Sequence, residues 1–330
     1  MIARLFGFLL LSFFAFPAHS QEDGDMELGR RLTTDFQEGR YEVIWERMTE
    51  EMRAALGSSG TLAELAKAME SQFGAEKATI FEEAEPHLGY RIYQRIAEHE
   101  KGPLPVLTQW TLDGDDRVAG FFVRPRQPPA ASDFLDYETK ATLRLPFEGE
   151  WHVYWGGRTP EDNYHAVDPG QRFASDFLVV TDGSSSRGEG TRLEEYHCWD
   201  RRILAPASGT VAAAVDDLPD NPLGEMDPRN PAGNHVVLDL GNDEYAFLAH
   251  LKEGSVGVEK GDSVQAGQEI GRCGNSGNSS EPHLHFHLQT TPSLGAGEGL
   301  PAFFRDYVAD GERVEKGEPQ RGQTVAPEAD

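Results

Sequence analysis

Between positions 283 and 288 the chain reads His-Leu-His-Phe-His-Leu, polar and apolar in strict alternation. A helix would scatter these six side chains around its axis. A strand sends alternate side chains to opposite faces, gathering three imidazoles on one and Leu284, Phe286 and Leu288 on the other. The segment therefore asks for β structure with a core under one face. With 11 histidines in 330 residues, three at alternate positions arise by chance on the order of 0.01 times. The competing reading is the solvated polar face of an edge strand. Same-face neighbours lie about 7 Å apart, so one or two imidazoles can reach a metal while another stands beside it.

A metal hydrolase needs three protein ligands and one open position, and neutral imidazole with carboxylate suits zinc. Eight of the eleven histidines fall in the C-terminal, β-rich part of the chain. The outside candidates that best complete a ligand set are His165, in Asn163-Tyr164-His165, and Asp176, which precedes the buried-strand run Phe177-Leu178-Val179-Val180. Other catalytic signatures are missing. His99-Glu100 begins like HExxH, but position 103 is Pro, and there is neither a Gly-x-Ser-x-Gly elbow nor a GxxxxGK[ST] loop.

Ahead of this region the texture differs. Leu28, Leu32 and Phe36, then Ile44, Met48 and Met52, then Leu62, Leu65, Met69 and Phe73 repeat at helical spacing. Thr61 and Glu64 read as a capping box for the third stripe, and Gly74 as its stop. Strands are expected over 79–83, 90–97, 105–112 and 117–124, with a turn at Asp113-Gly114. Helices followed by an antiparallel meander make a small α+β module over 21–125. The proline-rich stretch around 125–132 opens a linker, 126–140; a β-rich domain covers 141–317, and 318–330 reads as a flexible tail. At the start, Arg4, an apolar run over 5–16 and Ala18-His19-Ser20 form an export-signal pattern covering 1–20. That run is shorter than the ~20 residues a membrane span needs, so no stable membrane insertion is expected after cleavage.

The β-rich part resembles the lysostaphin-type zinc metallopeptidases, which cut peptide cross-links in bacterial cell walls. The pieces occur in order: Ala205-Pro206-Ala207-Ser208-Gly209-Thr210-Val211; Gly233-Asn234-His235-Val236; Phe247-Leu248-Ala249-His250-Leu251; Gly261-Asp262-Ser263-Val264 with Gly267-Gln268. Gly274-Asn275-Ser276-Gly277-Asn278-Ser279 then leads into Pro282-His283-Leu284-His285-Phe286, similar to the family's GxTGxSxGPHLHF. The resemblance runs from about residue 163 to 289. It implies an all-β folded antiparallel sheet, zinc ligands His165, Asp176 and His285, His283 as general base, and His250 positioning water or stabilising the oxyanion. It also implies peptidoglycan stem peptides and cross-links as substrate. The family spaces its first His and Asp four apart, whereas here they are eleven apart; residues around Pro169-Gly170-Gln171 read as an insertion, and Asp168 is the rival ligand. His287 is additional and takes no ligand role; it either orients His285 from behind or faces solvent. His197 and His235 read as structural, and His152 as a residue that could line the groove. The α+β module resembles in layout the cone-shaped folds of the nuclear-transport-factor type, a resemblance that carries no site.

Charge and cysteines narrow the function. Lys and Arg number 30 against 56 Asp and Glu, a formal charge of −26, which opposes phosphate backbones and excludes a nucleic-acid partner. In an exported protein, Cys198 and Cys273 are expected to pair, with two buried thiols as the alternative. Export and cell-wall chemistry place the protein in the periplasm or outside the cell. Three rivals compete with the peptidase: a catalytically silent wall-binding or hydrolase-activating relative, a biotinyl-type carrier, and an iron oxygenase using two His and a carboxylate. The carrier lacks its hairpin lysine, and the silent relative is disfavoured because all five expected positions are filled.

Overall fold

The computed structural model describes residues 19–328, with side chains from residue 23. The apolar run 5–16, and with it the expected export signal up to residue 18, lies outside the described residues. Among these, no helix is long and apolar enough to cross a membrane. The chain divides into two compact units at Arg126/Gln127.

The first unit packs helices α1 (His19–Gln37), α2 (Tyr41–Arg47), α3 (Glu50–Leu56) and α4 (Ser59–Phe73) with an antiparallel meander. Its strands are β1 (Glu76–His87), β2 (Tyr90–His99), β3 (Val106–Leu112) and β4 (Val118–Pro125). The helical stripes become core: Leu28, Leu32, Phe36, Ile44, Met48 and Leu62 are buried with Tyr93, Trp110 and Leu112. The third stripe starts earlier than its capping box implied. Ser58 precedes the first turn, and Thr61, already inside it, donates its hydroxyl to the Leu56 carbonyl at 2.8 Å. Gly74 ends α4 at φ 71°. The hairpin turn is longer than an Asp-Gly pair, because Asp113 Oδ1 accepts from the backbone N–H of both Asp115 and Arg117 at 2.9 Å.

The second unit is almost entirely β. Its strands are β5 (Trp151–Trp155), β6 (Ser175–Leu178), β7 (Arg202–Leu204), β8 (Gly209–Val215), β9 (Asn234–Asp239), β10 (Tyr245–Leu251) and β11 (Ser263–Val264). They continue with β12 (Glu269–Arg272), β13 (Leu284–Gln289), β14 (Gly299–Leu300), β15 (Phe304–Ala309), β16 (Glu312–Gly317) and β17 (Thr324–Pro327). The main antiparallel sheet runs β11-β8-β9-β10-β13-β6-β5-β17-β15-β16, with β14 beside β13 and a separate β12-β7 pair. Leu284, Phe286 and Leu288 point into one core with Phe177, Leu248, Trp151 and Phe304. The expected alternation thus appears as a strand with one face in the core.

Two expectations are corrected. Residues 318–330 do not form a loose tail throughout: β17 pairs with both β15 and β5, and Val325 is fully buried. The stretch 126–140 is irregular but integral to the second unit. Glu244, fully buried, accepts from the Tyr137 hydroxyl (2.9 Å), Lys140 N–H (2.6 Å) and Ala141 N–H (2.8 Å). The cysteines are joined as Cys198–Cys273. Closing a loop of 75 residues stabilises by ~4.5 kcal/mol in the chain-entropy description, and the bond anchors the segment leading into Gly274 and the histidine strand.

Candidate metal centre and groove

Strand register brings the site together. On β13, His285 stands opposite Asp176 of β6 on one side and Ala249 of β10 on the other. Ala249 is small, so the space above it stays open as part of a 260 Å³ cavity that also touches His165, His250, His285 and His287. His165 arrives on a short 3₁₀ turn, Tyr164–Val167, capped by Asn163. The fully buried Asn163 accepts from His165 N–H at 3.1 Å and donates to Ala174 O at 2.8 Å. It thus ties the His165 turn to the strand that carries Asp176, across the eleven-residue separation.

His250 arrives by an irregularity. In an unbroken β10 it would share the core face with Leu248. The β9/β10 register shifts between Leu248 and Leu251, and His250 adopts φ 60° with its N–H on Ala232 O at 3.0 Å. A bulge reverses the alternation, so Leu248 and Leu251 both stay in the core while His250 turns to the imidazole face. Positive φ in a non-glycine residue is costly and marks a site the surroundings hold in place. Part of that hold is Gly233 and Gly277, both at positive φ, where an added Cβ would collide with the backbone of the opposite loop.

His165, Asp176 and His285, all buried, offer ligand atoms within 4.8 Å of one another. His165 Nε2 lies 3.0 Å from Asp176 Oδ2, and His285 Nδ1 lies 2.8 Å from Oδ1. Proton placement follows from a relay behind them. Gln289 donates Nε2–H to the carbonyls of Thr291 (2.6 Å) and Ser293 (2.9 Å), which turns its Oε1 toward His287 Nε2 at 3.3 Å. An amide oxygen only accepts, so His287 carries its proton on Nε2. Its Nδ1, 2.9 Å from His285 Nε2, therefore accepts. His285 is left with a lone pair on Nδ1 aimed at the Asp176 carboxylate.

Burial alone would raise the Asp176 carboxyl, but His165, then His283 and His285, hold it well below the usual carboxylate range. An ionised carboxylate and an imidazole lone pair facing each other call for a cation between them. Two nitrogens and a carboxylate oxygen are a donor set that suits zinc.

The two remaining histidines flank this set. His283 Nδ1 donates to the Glu281 carbonyl at 2.8 Å, which turns Nε2 toward the site, 3.8 Å from Asp176 Oδ1. His250 Nδ1 donates to Ser276 O at 2.9 Å. Its ring centroid is 4.7 Å from His283 and 5.7 Å from His285. Burial, then the proximity of His283 and His285, holds His250 well below the ordinary histidine value, so it is neutral. Burial does the same to His287, which also stacks on Phe247 at 4.5 Å.

All five expected residues thus converge. Asp168, the rival ligand, spends Oδ1 on the N–H groups of Gly170 and Gln171 (2.8 and 3.1 Å), capping the inserted turn. His287 does not face solvent: it is 2% exposed and belongs to the relay. Gln289 and Asn163 were missed in the sequence. Gln289 continues the same-face alternation of His285 and His287, and that period was the available signal. His235 Nδ1 donates to Gly233 O (2.7 Å), the His197 backbone N–H donates to Ser185 O, and His99 packs on Phe73; none joins the cluster.

Residues 195–295 match the model of peptidase family M23. Peptidoglycan DD-endopeptidase ShyA of Vibrio cholerae is 38% identical over 90 residues, which are 26% of this chain and 20% of that protein. The chain thus spans about one fifth of the length of that relative. Among solved structures, the catalytic domain of the prophage-encoded M23 protein EnpA from Enterococcus faecalis is 19% identical, covering 48% of this chain and 94% of that one, at a TM-score of 0.29. The catalytic domain of lysostaphin from Staphylococcus simulans is 21% identical, covering 46% and 88%, at a TM-score of 0.27. His250, His283 and His285 fall inside the family match, whereas His165 and Asp176 join them through the fold. Over residues 195–295 the second unit is thus similar to the peptidases of family M23.

Proposed function

We propose that this chain is an exported, zinc-dependent endopeptidase that hydrolyses peptide cross-links of bacterial peptidoglycan. The observation that carries the reading is the His285 Nδ1 lone pair set against the Asp176 carboxylate, with His165 beside them. Zinc held by His165, Asp176 and His285 supplies Lewis acidity for amide hydrolysis. His283, with Nδ1 fixed on Glu281 O, takes the proton of the attacking water at Nε2 and returns it to the leaving amine. His250 is neutral with its one N–H committed to Ser276 O, so its Nε2 accepts a hydrogen bond and positions water better than it could donate to an oxyanion. The similarity to a protein described as a peptidoglycan DD-endopeptidase supports the substrate class. The export-signal pattern supports a periplasmic or secreted site of action.

The test is digestion of purified sacculi with and without a chelator, followed by mass spectrometry of released muropeptides. Cross-linked dimers should fall and monomers rise only when zinc is present. Intact cross-links with the zinc-loaded protein, across several sacculus types, would overturn the reading.

A further inference from the structure

Past His283 the groove opens into a second recess of 280 Å³, walled by Tyr154, Trp155, Tyr164 and Met226 and shared with Glu281 and His283. One group stands out among these rings. The Glu281 carboxylate accepts a single hydrogen bond from a neutral group, the Ser185 hydroxyl at 3.2 Å, and no Lys or Arg among the described residues pairs with it. Burial raises this carboxyl, with His283 and Ser185 pulling weakly the other way. An anion drawn out of water without a cationic partner is costly to keep.

Its position is also firmly set. Glu281 O accepts from Ser279 Oγ at 2.9 Å and from His283 Nδ1 at 2.8 Å, so the carboxylate is held beside the proposed base. In the motif GxTGxSxGPHLHF the residue before Pro is Gly; here that position is Glu281.

We propose that Glu281 and the aromatic walls around it form a cation subsite that seats the primary ammonium of a diamino acid in the substrate's stem peptide. The inference rests on the peptidoglycan reading above. An ammonium on a flexible arm satisfies the carboxylate, and the ring faces favour it further through cation–π attraction. The chain's formal charge is −26, so an anionic polymer is not drawn in by general attraction. A free ammonium close to the scissile bond is a positive handle on such a substrate, and Glu281 is placed to grip it.

The test compares two dimeric muropeptides, one with the free ammonium on its diamino acid and one with that amine acetylated. Wild-type protein should favour the free amine by about tenfold or more in kcat/KM. Glu281→Gln, which keeps the shape and the Ser185 contact, should bring that ratio to about one, through KM on the free-amine dimer with kcat nearly unchanged. Calorimetric binding of both dimers to chelator-treated protein, in which Glu281 and His283 are intact, should show the same preference without turnover. A loss that is equal on both dimers would assign Glu281 a structural role and overturn the subsite. So would a preference that survives in Glu281→Gln while cleavage stays intact. If neither dimer is bound or cut by the zinc-loaded protein, the peptidoglycan reading itself falls, and the subsite with it.

Discussion

Two clusters in this chain use similar residues to opposite ends. In the first unit Arg95 pairs with Glu82 at 2.7 Å and with Glu76, Arg30 reaches Glu82 at 2.9 Å, and the Tyr93 hydroxyl donates to Glu82. Burial would raise both carboxyls, but these partners hold Glu76 and Glu82 below their ordinary value. Each carboxylate there has a guanidinium. In the second unit Asp176 faces only imidazoles, at 3.0, 2.8 and 3.8 Å. A network that consumes its own charges braces a sheet. A cluster whose lone pairs converge without a cation is arranged to acquire one. The sign of the missing partner, more than the presence of charged residues, separates scaffold from site.

The sharpest break of that contrast is at His285. His285→Ala should reduce zinc from one ion per chain to a small fraction and lower cross-link cleavage by about 10⁴-fold or more, read by metal analysis and muropeptide release. His283→Ala should keep full zinc and lose ~10²–10⁴-fold in kcat. The reverse pattern would exchange the donor and the base.

How much of this was legible beforehand depended on regularity. The period-two run 283–288 announced a strand with His285 facing away from the core, and the register then set Asp176 opposite it. Stripes at helical spacing located the first unit's core. What stayed hidden breaks the period. The bulge that turns His250 to the site shows in no alternation, because Leu248 and Leu251 both remain buried. The Asn163 bridge across the insertion depends on a loop fold that spacing cannot convey, and the β17 strand near the chain's end offers a single buried apolar side chain, Val325.

The first cluster should fail in stability and spare the metal. Side-chain exposures of 19% for Arg95, 16% for Glu76 and 14% for Glu82 leave the carboxylates poorly solvated once the guanidinium is removed. Arg95→Met should therefore cost ~3 kcal/mol in urea unfolding while zinc content stays whole. Loss of zinc in that variant would erase the distinction between the clusters. A smaller effect is expected at His287. His287→Leu removes the acceptor for His285 Nε2–H and should weaken zinc about 10–100-fold in competition with a chelating dye, with the fold retained.

The gentlest perturbation is pH, and the two clusters should respond in different windows. Glu76 and Glu82 have depressed folded values, so their contribution is complete above the unfolded carboxyl value near 4.3 and fades only as pH falls below it. His250 and His287 are also depressed, by burial first. Their stability is present above the unfolded histidine value near 6.5 and is lost as pH drops through it, because the unfolded chain takes up protons that the folded site refuses. At pH 6 this amounts to about 1 kcal/mol for each neutral imidazole. In chelator-treated protein, the urea midpoint should therefore fall between pH 7.5 and pH 6.0, while Arg95→Met shows the same fall from its lower starting point. His287→Leu has one such imidazole fewer and should show a drop smaller by about 1 kcal/mol at pH 6, because burial depresses His152, His235 and His285 as well. An undiminished drop in that variant would mean that His287 is protonated along with the folded site, which would reverse the proton order of the relay through His285.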